Sequence, residues 1–337
     1  MKAILTTLLA LVCTFTLSTQ SLSAKRSQVP TKRELMEDYL KGKKHGDYVP
    51  TVFFSHFPAK VGQDAVYYHI RHLARTGIDM LKVQFEQQQP KMKMEKSEDW
   101  QKIQPLPRDF YNPTVEVVKE IFNIVGHETM VLPTVYSPFQ VLRMQIGIPS
   151  VIRWAKRDPQ QLLRVLRIYT DGLLNYVRDC KALGIDGFFM PTQGGENIYK
   201  EVPDFFETFI RPFDMEVMTE CTTGTHYNIL HICDWEGPYD DLDAFIDYPG
   251  QIVNAPNVVG GKPFTPTDAE RMFKRAALGG LERKGLIRNG TPEQVTEKVK
   301  ELLKNNRGRY ILGAECTIDG RTPIENIRAA VRTAHGK

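Results

Sequence analysis

With 337 residues, 42% of them hydrophobic and 25% charged, the chain can bury a sizeable core and has the make-up of an ordinary globular protein. A formal charge of +4, without basic blocks interleaved with aromatics, excludes a nucleic-acid surface. After the N-terminal segment, no apolar run approaches the roughly 20 residues of a membrane span.

The chain opens on "MKAILTTLLALVCTFTLSTQSLSA", residues 1–24, where Lys2, an apolar stretch over 3–17 and a small-residue tail read as a cleavable secretory signal. A periplasmic or extracellular protein is expected, with 25–337 as a single domain. Apolar, strand-forming runs then recur at 49–54, 80–85, 129–135, 187–190, 227–233, 251–254, 277–281 and 310–313, separated by amphipathic helical patterns. Such alternation predicts parallel strands joined by crossover helices, and eight strands are the number that closes a (β/α)8 TIM barrel.

The connections carry their own punctuation. "RHLARTGID" and "CKALGIDGF" both end a helical pattern on a glycine, Gly77 and Gly184, and pass at once into a strand. Thr267 with Glu270, Thr291 with Gln294 and Thr322 with Glu325 have the spacing of capping boxes, and Asn112 and Asp158 stand as caps before prolines. The polar, aperiodic stretch 87–110 follows strand two, where a barrel would carry either a lid over its mouth or a solvated loop.

Barrel chemistry sits at the C-terminal ends of the strands. The polar residues there include His56, Glu86, Tyr136, Gln193, Glu196 and Asn254, which are candidate substrate-binding residues. In "ILHICDW", residues 229–235, the period-two alternation of a strand puts His231 and Cys233 on one face. With Cys316 at the end of the last strand they make three soft N/S donors, a set that suits zinc with a fourth position open to substrate. A Cys233–Cys316 disulfide, natural for an exported chain, and inert buried thiols are the competing readings. Cys180 and Cys221 fall on helical patterns and read as core or surface residues.

The C-terminal run "GLIRNGTPEQVTEKVKELLKNNRGRYILGAECTIDGRTPIENIRAAVRTA" resembles the end of the uroporphyrinogen decarboxylase superfamily, with its Gly-Thr-Pro-Glu and Thr-Pro-x-Glu-Asn helix starts around a strand ending in cysteine. "ILHICDW" resembles that superfamily's His-x-Cys strand end, and "VPDFFETFIRPFDMEVM" the helix before it. The resemblance runs roughly over 33–335, is strongest after Gly184, and implies a (β/α)8 barrel. In the corrinoid-dependent methyltransferase branch the His-x-Cys pair and a late cysteine bind zinc, which holds and activates a thiolate such as coenzyme M. His231, Cys233 and Cys316 match those positions. That branch takes a carboxylate as a further ligand after the next strand, where this chain has "VNAP", so Asn254, Glu196, Glu315 or water are the candidates for the fourth position. The decarboxylase branch uses an Arg-rich N-terminal motif and a Phe-Ser-Asp-Ile segment, and this chain has neither.

Methyl or alkyl transfer of a small-molecule substrate at a zinc-thiolate site is therefore the expected function. Two alternatives stand beside it. One is a metal-independent decarboxylase, a lyase acting on a porphyrinogen-like polycarboxylate held by His56, Tyr136 and the basic 87–110 loop. The other is a non-catalytic periplasmic ligand-binding barrel.

Overall fold

The computed structural model of the chain describes residues 29–84, 89–306 and 308–337. The expected secretory signal at 1–24 lies outside the described residues, and so does Glu86. Among those described, no helix is long and apolar enough to cross a membrane.

All eight expected strands form: β1 (Thr51–Val52), β2 (Met80–Val83), β3 (Met130–Pro133), β4 (Phe189–Thr192), β5 (Ile229–Ile232), β6 (Ile252–Asn254), β9 (Ala276–Leu281) and β10 (Tyr310–Ala314). A short hairpin, β7 (Val258–Val259) with β8 (Lys262–Pro263), intervenes after β6. The expected closed ladder is seen only in part. Six strands form one curled parallel sheet in the order β1-β10-β9-β6-β5-β4, and β2 pairs with β3 in a separate parallel sheet. A single parallel bridge, Thr134 to Phe189, joins β3 to β4, and the Asp79 N–H donates to the Thr51 carbonyl at 2.9 Å between β2 and β1. Pro133 and Pro191, one on each strand beside the β3–β4 seam, lack the N–H that a longer ladder needs.

Alternation along the strands sorts the side chains into two layers. Val52, Met80, Met130, Leu132, Phe189, Ile229, Ile252, Ala276, Leu278 and Ile311 pack together inside the curl of the sheets. The intervening residues, such as Leu81, Val131, Met190 and Leu230, pack outward against the crossover helices. Ile229 points inward, so period two sends His231 inward as well, one layer nearer the mouth. Register places Asn254 of β6 beside His231.

The helix ends show which local signals hold. Gly77 (φ 76°) and Gly184 (φ 77°) take the left-handed conformation that closes a helix, which only glycine adopts without strain. Thr291 and Gln294 form their capping box. Thr267 with Glu270 does not: the helix Pro266–Phe273 starts two residues earlier, capped by Thr265 with Asp268. Thr322 and Asp158 give no side-chain cap to the helices they precede, and Asn112 is itself the first residue of its helix.

The described part of the stretch, residues 89–110, is largely exposed but pinned to the helical layer at Met94, Trp100 and Ile103. Met94 and Trp100 are fully buried, Trp100 meets Trp154 edge-on at 5.4 Å, and the Trp154 indole donates to the Met94 carbonyl at 2.7 Å. Asp99 accepts the N–H groups of Glu95 and Lys96 at 2.9 and 3.0 Å. Three apolar anchors, Met94, Trp100 and Ile103, separated by polar residues without a period, hid this packing from a pattern reading.

Candidate metal centre

β5, its following residues and the bend after β10 bring three donors together at the mouth. Cys316 Sγ lies 3.5 Å from His231 Nε2 and 4.0 Å from Cys233 Sγ. All three side chains are buried, and their donor atoms fall within 4.8 Å of one another. A tetrahedral ion with bonds of about 2.3 Å to sulfur and about 2.0–2.1 Å to nitrogen spans edges of about 3.8 Å between sulfurs and about 3.6 Å from sulfur to nitrogen. Two of the three edges stand near those separations and the third, His231 to Cys233, lies within 4.8 Å, so a zinc ion fits with a contraction of the cysteine side chains. Cys233 and Cys316 are free thiols.

Electrostatics favour charge on this pair. Cys316 is held well below the ordinary thiol value, first by the hydrogen bond from Cys233, with His231 and Arg283 adding to it. Cys233, which donates that bond, is pushed well above. The His231 ring stacks on Phe189 at 5.1 Å, and its Nδ1 has no partner among the described residues.

No carboxylate joins the three donors among the described residues. Glu315 turns to Arg283, which contacts it at 3.0 Å through Nη1 and contacts Asp234 at 2.9 Å through the same atom. Burial pushes the Glu315 carboxyl up to about 7, against the pull of Arg283. Asn254 donates to the Leu278 and Ala314 carbonyls at 2.8 and 3.1 Å, tying β6 to the strands that lead to Cys316, and its buried Oδ1 has no described partner.

Gln193 and Glu196, on the loop after β4, are fully buried in a second polar group. Gln193 Oε1 accepts from Gln140 Nε2 and from Arg143 Nη2, each at 3.0 Å, and Arg143 pairs with Glu236. Glu196 Oε2 accepts the Gly194 N–H at 2.5 Å, and burial raises this carboxyl to about 7. Gln193 Nε2 and Glu196 Oε1 have no described partner. Tyr239 links the two groups: its ring lies against Gly195, and its hydroxyl donates to the Cys233 carbonyl at 3.0 Å.

Of the remaining expected residues, neither His56 nor Tyr136 is among the clustered donors. His56 is exposed and lines a separate cavity of about 470 Å³ with Phe57, Arg71, His72 and Ile318. Tyr136 is half-buried against the outer core, and Glu86 is not described. Sequence reading missed Lys82, Arg143, Asp234, Glu236 and Arg283. Lys82 is the one with a local signal: a buried lysine in "MLKV", its ammonium 5.2 Å from the Phe189 ring that also stacks on His231.

Comparison with known proteins agrees with this fold. The family model for uroporphyrinogen decarboxylase (URO-D) matches residues 76–337. A methylated-thiol–coenzyme M methyltransferase from Methanosarcina mazei is 27% identical over 210 residues, covering 60% of this chain and 52% of the relative. The chain thus spans about half the length of that curated relative. Among solved structures, a methyltransferase from Methanosarcina mazei superposes with a TM-score of 0.70 at 14% identity, over 91% of this chain and 98% of the other. A B12-independent methionine synthase from Shewanella sp. W3-18-1 gives 0.51 at 10% identity, over 85% of this chain and 95% of the other.

Proposed function

Since the chain belongs to the uroporphyrinogen decarboxylase family, we propose that it is a zinc-dependent methyl- or alkyltransferase on a closed (β/α)8 barrel, with His231, Cys233 and Cys316 as the metal ligands. The observation that carries this reading is the spacing of the three buried donors, 3.5 and 4.0 Å, which suits one tetrahedral ion. The similarity to a methylated-thiol–coenzyme M methyltransferase supports the methyl-transfer branch. Zinc held there would lower the pKa of a bound thiol and present its sulfur as a nucleophile.

The chain's own residues then have distinct tasks. Phe189 fixes the plane of the His231 ring, and Cys233 and Cys316 give up their protons as they become ligands. Gln193 and Glu196, each with a buried polar atom lacking a described partner, hold the substrate's polar end, backed by Arg143. Leaving such atoms unpaired costs about 1–3 kcal/mol each, which a fitting substrate recovers.

Decarboxylation is disfavoured by where the N-terminal basic residues go. Lys32 donates to the Ile78 carbonyl at 2.6 Å, and Arg33 pairs with Asp186 and the Thr129 carbonyl, all at the opposite end of the strands from the mouth. A ligand-binding barrel without catalysis has no use for a dithiol.

Zinc analysis of purified protein tests the proposal, with about one equivalent expected and sulfur and nitrogen ligation seen by X-ray absorption. Protein without metal, in which neither Cys233 nor Cys316 alkylates after denaturation without reductant, would overturn it in favour of a disulfide. Residues 1–24 are read as a secretory signal, for which N-terminal sequencing should begin near Lys25; native protein retaining Met1 would refute export.

A further inference from the structure

Two acids adjoin two of the metal ligands along the chain: Asp234 follows Cys233, and Glu315 precedes Cys316. Both leave the sulfurs and meet on one guanidinium. Arg283 Nη1 lies 2.9 Å from Asp234 Oδ1 and 3.0 Å from Glu315 Oε1, and the Arg283 backbone N–H donates to Glu315 Oε2 at 2.8 Å. Arg283 stands two residues beyond β9, so a residue from a third strand end ties together the two segments that carry Cys233 and Cys316. The Arg283 and Glu315 side chains are 12% and 9% exposed, and Asp234, at 25%, forms the outer edge of the group.

We propose that Arg283 is the positioning residue of this centre, holding the strand ends after β5 and β10 at the sulfur–sulfur separation that one tetrahedral ion spans. This rests on the zinc reading for its purpose, although the claim itself concerns the spacing of two sulfurs. The two sulfurs stand 4.0 Å apart on segments that leave the sheet with one ladder bond each, Cys233 N–H to the Thr192 carbonyl at 3.1 Å and Glu315 N–H to the Leu281 carbonyl at 3.2 Å, before they turn away. A cation bonded to both neighbouring acids ties the two segments together beyond those bonds and places positive charge beside the sulfurs. Lysine could keep the charge, but its ammonium lacks the planar fork with which Arg283 serves two carboxylates at once.

The test compares wild type with Arg283→Met and Arg283→Lys by three readings: zinc affinity against a chromophoric chelator, the visible spectrum of the cobalt(II)-substituted protein, and retention of a monosubstituted trivalent arsenical, which two neighbouring thiols chelate without zinc. Arg283→Met should weaken zinc by about 10- to 100-fold, the range for lost outer-shell partners. It should also alter the sulfur-to-cobalt band and lose the arsenical sooner, with Arg283→Lys between it and wild type. A purely structural role would lower the melting temperature and leave the spectrum of the folded protein unchanged.

Arg283→Met protein with wild-type zinc affinity, cobalt spectrum and arsenical retention would overturn the proposal. If wild type takes up no metal yet retains the arsenical, and Arg283→Met does not, the zinc reading fails and the positioning role stands. Should Arg283→Met not fold, Asp234→Asn and Glu315→Gln carry the same comparison, since each weakens one arm of the clamp while keeping its shape.

Discussion

Cys180 and Cys221 are buried like Cys316, and their thiols are pushed the opposite way. Cys180 lies on the helix Pro159–Ala182 and Cys221 on the helix Arg211–Thr222, within the layer that covers the outside of the sheet. Burial is the leading influence there and pushes both thiols up, leaving inert neutral groups. Asp214, on the same helix as Cys221, shares that environment, and burial raises its carboxyl to about 8. At the mouth, hydrogen bonds and a guanidinium oppose burial, and Cys316 moves down. Burial by itself therefore makes a thiol unreactive. At the converging strand ends, polar partners oppose that effect on Cys316.

The sharpest break in this comparison is ligand removal. Cys316→Ser, Cys233→Ser or His231→Ala should take zinc content from about one equivalent to near none, measured by elemental analysis after dialysis. Cys180→Ala and Cys221→Ala should leave it unchanged, and loss of zinc from either would erase the distinction between the pairs.

Next in size is the anchor of the helical layer. Trp100 is fully buried against Trp154, so Trp100→Ala should cost about 3–5 kcal/mol of stability in urea titration. Deleting residues 91–102 should abolish the cooperative transition. A deletion variant that melts like wild type would return this stretch to the status of a loop.

The Asp214 carboxyl provides a pH test of the layer's neutrality. Its value rises from 3.8 to about 8 on folding, so between those limits the folded chain holds a proton that the unfolded chain has released. Stability contributed by this neutral acid is present at low pH and is lost as pH climbs toward 8, at up to about 1.4 kcal/mol per pH unit. Asp214→Asn should flatten that slope and gain on wild type at alkaline pH, in melts taken from pH 5 to 9. An unchanged slope would show that Thr192, which donates to Asp214 Oδ2 at 2.5 Å, keeps the group ionised. The smallest expected change is in stability for Cys180→Ala and Cys221→Ala, about 1 kcal/mol each from lost packing.

Eight strands, and the convergence of His231, Cys233 and Cys316 at the ends of two of them, were legible in the residue order, because strand period, apolar runs and glycine stops at Gly77 and Gly184 act over a few residues of chain. So was the pairing of His231 with Cys233, since period two needs no partner strand. Caps were less so: Thr265 outcompeted Thr267 for the same helix start, a choice settled by how the helix seats on β9 and β6. Packing decided the rest. Whether Met94 and Trp100 float or anchor depends on Trp154, more than fifty residues away in sequence. Arg283 finds Glu315 across 32 positions and Asp234 across 49, pairings that no local pattern encodes. By itself the sequence determined which residues could become ligands and on which strand ends they stand. Only the tertiary structure decided which buried thiols are held beside charge and which are sealed in apolar surroundings, because a thiol's ionisation answers to the groups within a few ångströms in space.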